Sequence, residues 1–131
     1  MFLGTYKLYF SGKNRLILPK KFRQELGNES VIYIVLGQDG ELWGFNSNQW
    51  LKEAEERLKI RLGKHLGRVQ RREFFPQALQ CNLDSQGRFI LPQEFIDYAT
   101  LNNGIVLVGA GDHFEIWNEG NWQKMKRILK I

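Results

Sequence analysis

The stretch Ser11-Gly12-Lys13-Asn14-Arg15-Leu16-Ile17-Leu18-Pro19 occurs a second time, as Asp84-Ser85-Gln86-Gly87-Arg88-Phe89-Ile90-Leu91-Pro92. The copies are 88 − 15 = 73 residues apart, and the Arg, Ile, Leu and Pro positions recur in place. Each copy predicts a polar turn closed by Asn14 or Gly87, which are residue types that tolerate positive φ. An arginine, a three-residue apolar strand and a proline suited to a first helical turn follow. Such a turn lifts its arginine towards a partner, although a plain hairpin corner whose arginine caps a sheet edge is the alternative.

The similarity between the two halves extends beyond this stretch. Tyr6-x-Leu8-x-Phe10 corresponds to Leu79-x-Cys81-x-Leu83 at the same shift, whereas 33–37 corresponds to 105–109 at a shift of 72. Phe45-Asn46 matches Trp117-Asn118, and Trp50 matches Trp122, also at 72. We therefore place a one-residue deletion between the short helix and the strand after it. Two copies are too few for a solenoid, so the pattern predicts a duplicated unit folding as an internal pseudo-dimer.

Hydrophobic periodicity predicts the elements of each half. Strands are expected at 2–10, 15–18, 31–36, 41–45, 105–108 and 113–117, and a short helix at 19–26. Asn46 is a predicted helix cap, with Gln49 at the third position. The helix after it is expected to bury one apolar stripe: Trp50, Leu51, Ala54, Leu58 and Leu62. A last helix from about Gly120 is expected to turn Trp122, Met125 and Leu129 inward. The predicted organisation is a first repeat at 1–62, a basic connector at 63–73 and a second repeat at 74–131.

Length and composition are typical of one globular domain, or of two small halves that share a core. The chain has 131 residues, 43% of them hydrophobic, and no apolar run of about 18 residues that would predict a membrane span. Its N-terminus lacks the basic and apolar regions of a signal peptide. A single cysteine, Cys81, fits a reducing compartment, so we expect a cytoplasmic protein.

Charge is distributed unevenly along the chain. The formal net charge is +5. Between Lys7 and Arg23 there are six basic residues and no acidic one, and between Arg57 and Arg72 there are seven basic residues and no acidic one. These segments suit a polyanionic partner. A solvated surface that happens to be basic is the alternative.

The sequence contains no pattern typical of a catalytic, metal or cofactor site. His65 and His113 have no second ligand at metal spacing, and Gly109-x-Gly111 lacks the context of a dinucleotide site. Cys81 stands where the first repeat has Leu8, which indicates a small buried hydrophobe. We expect no catalytic residue, metal, cofactor or small-molecule substrate.

The doubled turn-Arg-strand-Pro-helix unit, with Phe2-Leu3-Gly4-x-Tyr6 ahead of it, resembles the MraZ family, a branch of the AbrB-like swapped-hairpin superfamily. The resemblance implies a β-dominated α+β fold, in which two tandem swapped-hairpin repeats form a double-split β-barrel with peripheral helices. It also implies a bacterial DNA-binding transcriptional regulator, a repressor of a cell-division and cell-wall gene cluster. Family members assemble into rings, so a homo-oligomer and nucleoid association are expected.

The family signature in each repeat is Asp-x-x-x-Arg, usually with Gly before the Arg. The second copy matches it with Asp84, Gly87 and Arg88. The first copy departs from it with Ser11 and Asn14. Since serine offers only a weaker version of the turn hydrogen bond, Arg15 should be less tethered than Arg88.

The mechanism implied by the resemblance combines phosphate attraction with insertion of an arginine into the major groove of double-stranded DNA. The candidate DNA-binding residues are Lys7, Lys13, Asn14, Arg15, Lys20, Lys21, Arg23 and Arg88, and the candidate structural turn residues are Ser11, Asp84 and Gly87. We expect Arg15 to be the main base or phosphate contact, because the second motif region carries Arg88 alone against three acidic residues. Its expected supporting cations are Lys13, Lys20, Lys21 and Arg23. Arg88 is expected to serve mainly as the structural partner of Asp84 in its turn. The alternatives are a ring-forming scaffold that binds another protein and an AbrB-like antitoxin.

Overall fold

The computed structural model describes all residues from Met1 to Ile131 and contains eight strands and five helices. The strands are β1 (Thr5–Leu8), β2 (Arg15–Ile17), β3 (Val31–Leu36), β4 (Leu42–Phe45), β5 (Leu79–Asn82), β6 (Arg88–Ile90), β7 (Ile105–Gly109) and β8 (Phe114–Asn118). The helices are α1 (Lys20–Gln24), α2 (Ser47–Arg57), α3 (His65–Phe74), α4 (Gln93–Ala99) and α5 (Glu119–Leu129). The fold is therefore mixed α+β and rich in sheet. The first strand is shorter than predicted, although Phe2 forms an isolated bridge with Gly111.

The two halves of the chain exchange strands. One sheet has the order β1-β7-β8-β4-β3-β5, and β2 pairs with β6 in a separate two-stranded sheet, which we call the ribbon. The first strand of each half thus pairs with the third strand of the other half, β1 with β7 and β5 with β3. All pairs are antiparallel, and exchanging the halves leaves the list of pairs unchanged. Strand pairing therefore has the symmetry of an internal pseudo-dimer.

The observed strand register places the one-residue deletion in the second repeat at a different position from the one predicted. Tyr6 lies opposite Leu107, and Leu79 lies opposite Ile34. Leu79 is the counterpart of Tyr6 at 79 − 6 = 73, so Leu107 is the counterpart of Ile34 at 107 − 34 = 73. The predicted shift of 72 for this strand is wrong, and no residue is missing between the short helix and the strand.

The missing residue lies in the following hairpin. Tyr33 faces Phe45 in the first repeat, and Val106 faces Trp117 in the second. Val106 is Tyr33 shifted by 73, whereas Trp117 is Phe45 shifted by 72. The deletion therefore shortens the turn between the two strands, which covers 37–41 in the first repeat and 110–113 in the second.

One core is built from both repeats. It is a cluster of 21 buried residues that includes Leu16 and Phe89 from the ribbon and Ile34 and Leu107 from the larger sheet. Because side chains alternate along a strand, Leu16 and Phe89 point inwards while their neighbours in the ribbon point outwards. The ribbon therefore covers the core with one face and presents the other face outwards.

Helices α2 and α3 pack together beside the first hairpin. The Asn46 side chain accepts a hydrogen bond from the Gln49 N–H at 2.9 Å, which confirms the predicted cap. Trp50 stacks on Phe74 of α3, with ring centroids 5.3 Å apart. The predicted apolar stripe is only partly right, because Ala54 is buried whereas three of its leucines are exposed. These are Leu51, Leu58 and Leu62.

The predicted connector is more structured than expected, since most of it forms helix α3. The N-terminal part of α3 carries Gly67, where an added Cβ would collide with backbone of residues 60 and 61. The last helix, α5, packs Trp122 and Met125 against Val106 and Trp117. Leu129 was expected to point inwards, but it is 55% exposed in the last turn of the helix. None of the helices combines the length and apolar composition needed to cross a membrane.

Candidate nucleic-acid interface

The outward face of the ribbon carries two arginines and two isoleucines. Arg15 lies opposite Ile90, and Ile17 lies opposite Arg88. Leu16 and Phe89 between them are buried, whereas Ile17 and Ile90 are 41% and 64% exposed. The face is thus a four-residue patch in which the arginines occupy diagonal positions. A two-stranded ribbon of this kind fits the major groove of B-DNA.

The second turn is organised by Asp84. One carboxylate oxygen accepts hydrogen bonds from the backbone N–H groups of Gln86 and Arg88, each at 2.9 Å. The other oxygen accepts the Arg88 Nε–H at 2.6 Å. The backbone N–H of Arg88, together with its side chain, lowers the pKa of Asp84 to about 2. Gly87 closes the turn at φ 81°, as its residue type predicted.

The first turn holds its arginine differently. The Arg15 Nε–H donates to the backbone carbonyl of Ser11 at 2.5 Å, and no carboxylate takes the place of Asp84. The Ser11 hydroxyl is shielded from solvent and has no hydrogen-bond partner. Asn14 adopts φ 59°, as predicted, and Gly12 adopts φ 90°, so this turn departs in backbone from the second one. Serine therefore does not reproduce the hydrogen bonds that aspartate makes.

Each turn lies against the other repeat. The Leu18 N–H donates to the Gly87 carbonyl at 2.9 Å, and the Leu91 N–H donates to the Asn14 carbonyl at 2.9 Å. Pro19 follows Leu18 and leads directly into helix α1. The helix of the first repeat is therefore attached to the turn of the second repeat, and the converse holds for α4.

Arg23 of α1 contacts the second turn directly. Its Nε–H donates to the Leu18 carbonyl at 3.0 Å. A Cβ added to Gly87 would lie 2.5 Å from the Arg23 Cδ, so the arginine stem packs flat on this glycine. Lys20 and Lys21 stand exposed in the same short helix. These three cations were predicted to support Arg15, but the structure brings Arg23 to the turn of Arg88.

The first turn has a different neighbour, helix α4. Asn14 Nδ2 donates to Gln93 Oε1 at 3.4 Å, and Gln93 in turn donates to Asp97 at 2.8 Å. Glu94 follows Gln93 in the first turn of the helix. Arg15 and the exposed Lys13 therefore share their side of the molecule with a helix that carries two carboxylates.

Lys7 lies apart from the other candidate residues. It is opposite Val106 in strand register and forms an ion pair with Glu119 of α5 at 3.1 Å. The hydrogen bond and charge of Glu119 raise the pKa of Lys7. Because Leu8, the next residue, points into the core beneath the ribbon, Lys7 points to the opposite face of the large sheet. The structure does not bring it together with the two turns.

A groove of about 580 Å³ runs between the ribbon and strand β5. Arg15, Arg88 and Asp84 line it together with Ile90 and residues of β5. Sequence reasoning found the arginines but missed this groove and the contact of Arg23 with Gly87. The swapped-hairpin repeats implied by the family resemblance were the available signal, because a swap places elements of one repeat beside those of the other.

Comparison with known proteins decides the family. A family model described as "MraZ protein, putative antitoxin-like" matches residues 1–72 and again residues 74–130. The chain belongs to the MraZ family. Similar relatives are each named "Transcriptional regulator MraZ". The one from Clostridium acetobutylicum is 40% identical over 93% of this chain and 84% of its own length.

Two further relatives give the same result. The one from Caldicellulosiruptor saccharolyticus is 36% identical over 95% of this chain and 85% of its own length. The one from Ligilactobacillus salivarius is 37% identical over 94% of this chain and 85% of its own length. The resemblance inferred from the doubled motif is thereby confirmed, and a transcriptional regulator is the function that these MraZ relatives support.

Proposed function

We propose that this protein is a sequence-specific DNA-binding transcriptional repressor that contacts duplex DNA through its two arginine-bearing turns. The observation that carries the proposal is the ribbon, whose exposed face presents Arg15 and Arg88 in diagonal positions. Arginine making bidentate bonds to a guanine edge is the commonest specific contact in the major groove, and exposed isoleucines suit thymine methyl groups. Arg15 and Arg88 are accordingly the proposed base-reading residues.

The surrounding cations hold the phosphate backbone in this proposal. Such contacts are independent of sequence and weaken with salt. The proposed backbone contacts are Lys13, Asn14, Lys20, Lys21 and Arg23. Lys7 is left out of the set because it pairs with Glu119 on the far side of the large sheet. Ser11, Asp84 and Gly87 shape the turns without contacting bases.

The proposed targets are short repeated elements upstream of a bacterial cell-division and cell-wall gene cluster. The name shared by the relatives supports regulation of transcription. Repression, this gene cluster and a nucleoid-associated cytoplasmic location follow from the family resemblance drawn from the doubled motif.

We propose further that the large sheet and the ribbon curve around the shared core as a double-split β-barrel. The core cluster supports this arrangement, because it takes side chains from both sheets and from α1 and α4. In such a barrel the ribbon forms one wall, so its outward face is free for DNA.

A ring of several subunits completes the proposed assembly. Strands β1 and β5 are the edges of the large sheet, and edges of this kind are normally covered. Several large apolar side chains are also exposed on the peripheral helices and in the segment between α2 and α3. They are Leu51, Leu58, Leu62, Leu66, Ile128 and Leu129. Repetition of the ribbon around a ring lets several weak contacts act together on repeated DNA elements.

A gel-shift experiment tests the proposed function. The wild-type protein should retard a duplex from upstream of its own gene at concentrations where a scrambled duplex of equal length stays free. Discrimination is expected because base contacts add to the phosphate contacts that both duplexes offer. Equal retardation of both duplexes, or retardation of neither, contradicts the proposal and favours a scaffold that binds another protein.

A further inference from the structure

We propose that the principal phosphate-docking surface is composite: it consists of the second turn, which carries Arg88, and helix α1 of the first repeat. The inference rests on the proposed function, since it assigns parts of one DNA interface. It differs from the expectation drawn from the sequence, which was that the cations of the first repeat support Arg15 in binding DNA. We call this patch the α1 surface and define it as Lys20, Lys21, Arg23, Asp84 and Arg88.

Hydrogen bonding makes the α1 surface one unit. The Gly87 carbonyl accepts the Leu18 N–H at 2.9 Å, immediately before Pro19 and the start of the helix. The Arg23 stem packs on Gly87, the residue that precedes Arg88. These contacts fix the position of the helix relative to the turn. A phosphate that lies close to Arg88 is therefore also close to the helix.

Charge separates the two turns. The α1 surface has four cations against one carboxylate, Asp84. The corresponding surface at the first turn, which we call the α4 surface, has two cations against two carboxylates: Lys13 and Arg15 with Glu94 and Asp97. A polyanion is attracted by the first arrangement and gains little from the second. Phosphate docking is thus expected beside Arg88.

The two arginines of the α1 surface are also held ready for DNA, Arg23 for a phosphate and Arg88 for the base edge beside it. Arg88 is fixed through its Nε–H on Asp84, and Arg23 through its Nε–H on the Leu18 carbonyl. Neither guanidinium makes a hydrogen bond to protein through its terminal nitrogens. A fixed stem with a free planar fork suits bidentate binding, to a phosphate for Arg23 and to a guanine edge for Arg88, and lowers the entropy lost on contact. Arg15 is also fixed through its Nε–H, although on the Ser11 carbonyl rather than on a carboxylate, so the surrounding charge is what favours the second turn.

The repeat supplies a matched pair of variants. Lys20 and Lys21 correspond to Gln93 and Glu94 at a shift of 73. Exchanging these pairs moves charge from one surface to the other without touching either arginine. The lysines are exposed and make no ion pair, so K20Q/K21E should fold as the wild-type protein does.

The experiment measures binding of each variant to the upstream duplex across a salt series. K20Q/K21E should lower the affinity by about tenfold or more at 0.1 M salt and flatten the log-log salt slope by about 1.8, or about 0.9 for each lost phosphate contact. Q93K/E94K should strengthen binding and steepen the slope, because it gives the α4 surface the same cations. Thermal melts of each variant control for folding.

Arg88→Ala and Arg15→Ala provide a second comparison on the same duplex. Arg88→Ala should weaken binding more than Arg15→Ala, and its loss should shrink in the K20Q/K21E background, where the surrounding positive charge is gone. Wild-type affinity and slope in K20Q/K21E, or a larger loss for Arg15→Ala, overturns the inference. Failure of the wild-type protein to prefer its upstream duplex would instead overturn the proposed function.

Discussion

Asp84 shows at the scale of a single residue how one carboxylate shapes a turn. It accepts two backbone N–H groups and the Nε–H of Arg88, whereas Ser11 in the equivalent position accepts none of these. The ionised form is the one that is stabilised, which is why the pKa of Asp84 falls to about 2. The first turn instead uses a carbonyl oxygen to hold Arg15.

A pH prediction follows from this lowered pKa. A group whose pKa is depressed on folding contributes stability above its unfolded pKa and loses it as the pH falls towards its folded value. Wild-type protein should therefore lose this contribution between about pH 4 and about pH 2. Asp84→Asn should melt at a lower temperature near neutral pH, and its melting temperature should fall less over that acid interval. Parallel curves of melting temperature against pH for the two proteins would contradict this role.

At the scale of elements, α2 is attached through one aromatic side chain. Trp50 stacks between Tyr33 of β3, at 5.0 Å, and Phe74 of α3, at 5.3 Å. Trp50→Ala should lower the free energy of unfolding by about 3 kcal/mol, near the low end for a large aromatic side chain because Trp50 is only partly buried. Leu51→Ala, next to it and 58% exposed, is the control and should change stability by less than about 0.5 kcal/mol. Urea unfolding of both variants checks this, and equal effects would contradict the packing described.

Elements that depend on local chemistry could be predicted from the sequence. The positive φ of Asn14 and Gly87 and the Asn46 cap follow from residue type and spacing over a few positions. The shift between the third strands could not be read in the same way. Aligning Gly37 with Gly109 gave a plausible sequence match at a shift of 72. The pairing of Leu107 with Tyr6 and of Ile34 with Leu79 shows that the shift between these strands is 73.

Contacts between distant elements set the remaining limits of prediction. The periodicity of α2 indicates an apolar stripe, but it does not show how far along the helix the sheet extends. Leu58 was therefore predicted to be buried, whereas it is exposed. The position of Arg23 also depends on the exchange of strands, because its own repeat does not contain Gly87. The distribution of charge along the sequence therefore pointed to Arg15 as the main DNA contact. The distribution of charge in the folded protein instead favours the surroundings of Arg88 for the phosphate docking that we propose.

The whole molecule combines symmetric topology with asymmetric charge. Its strand pairs are unchanged when the halves are exchanged, and both repeats contribute to one core. The surface does not share this symmetry, since α1 carries Lys20 and Lys21 where α4 carries Gln93 and Glu94. The repeat thus supplies two turns of related sequence, and the different residues at matching positions give each turn a different electrostatic environment.

In the proposed function, the ribbon and its turns bind duplex DNA with sequence preference. The most direct test compares wild-type protein with the Arg15→Ala/Arg88→Ala double variant on the upstream and scrambled duplexes across a salt series, with folding checked by melting. The double variant should lose its preference for the upstream duplex, since each good arginine–base contact contributes about 1–3 kcal/mol of discrimination. Residual binding that depends on salt is expected from the lysines that remain. A folded double variant that keeps the wild-type preference would contradict base reading by these two arginines.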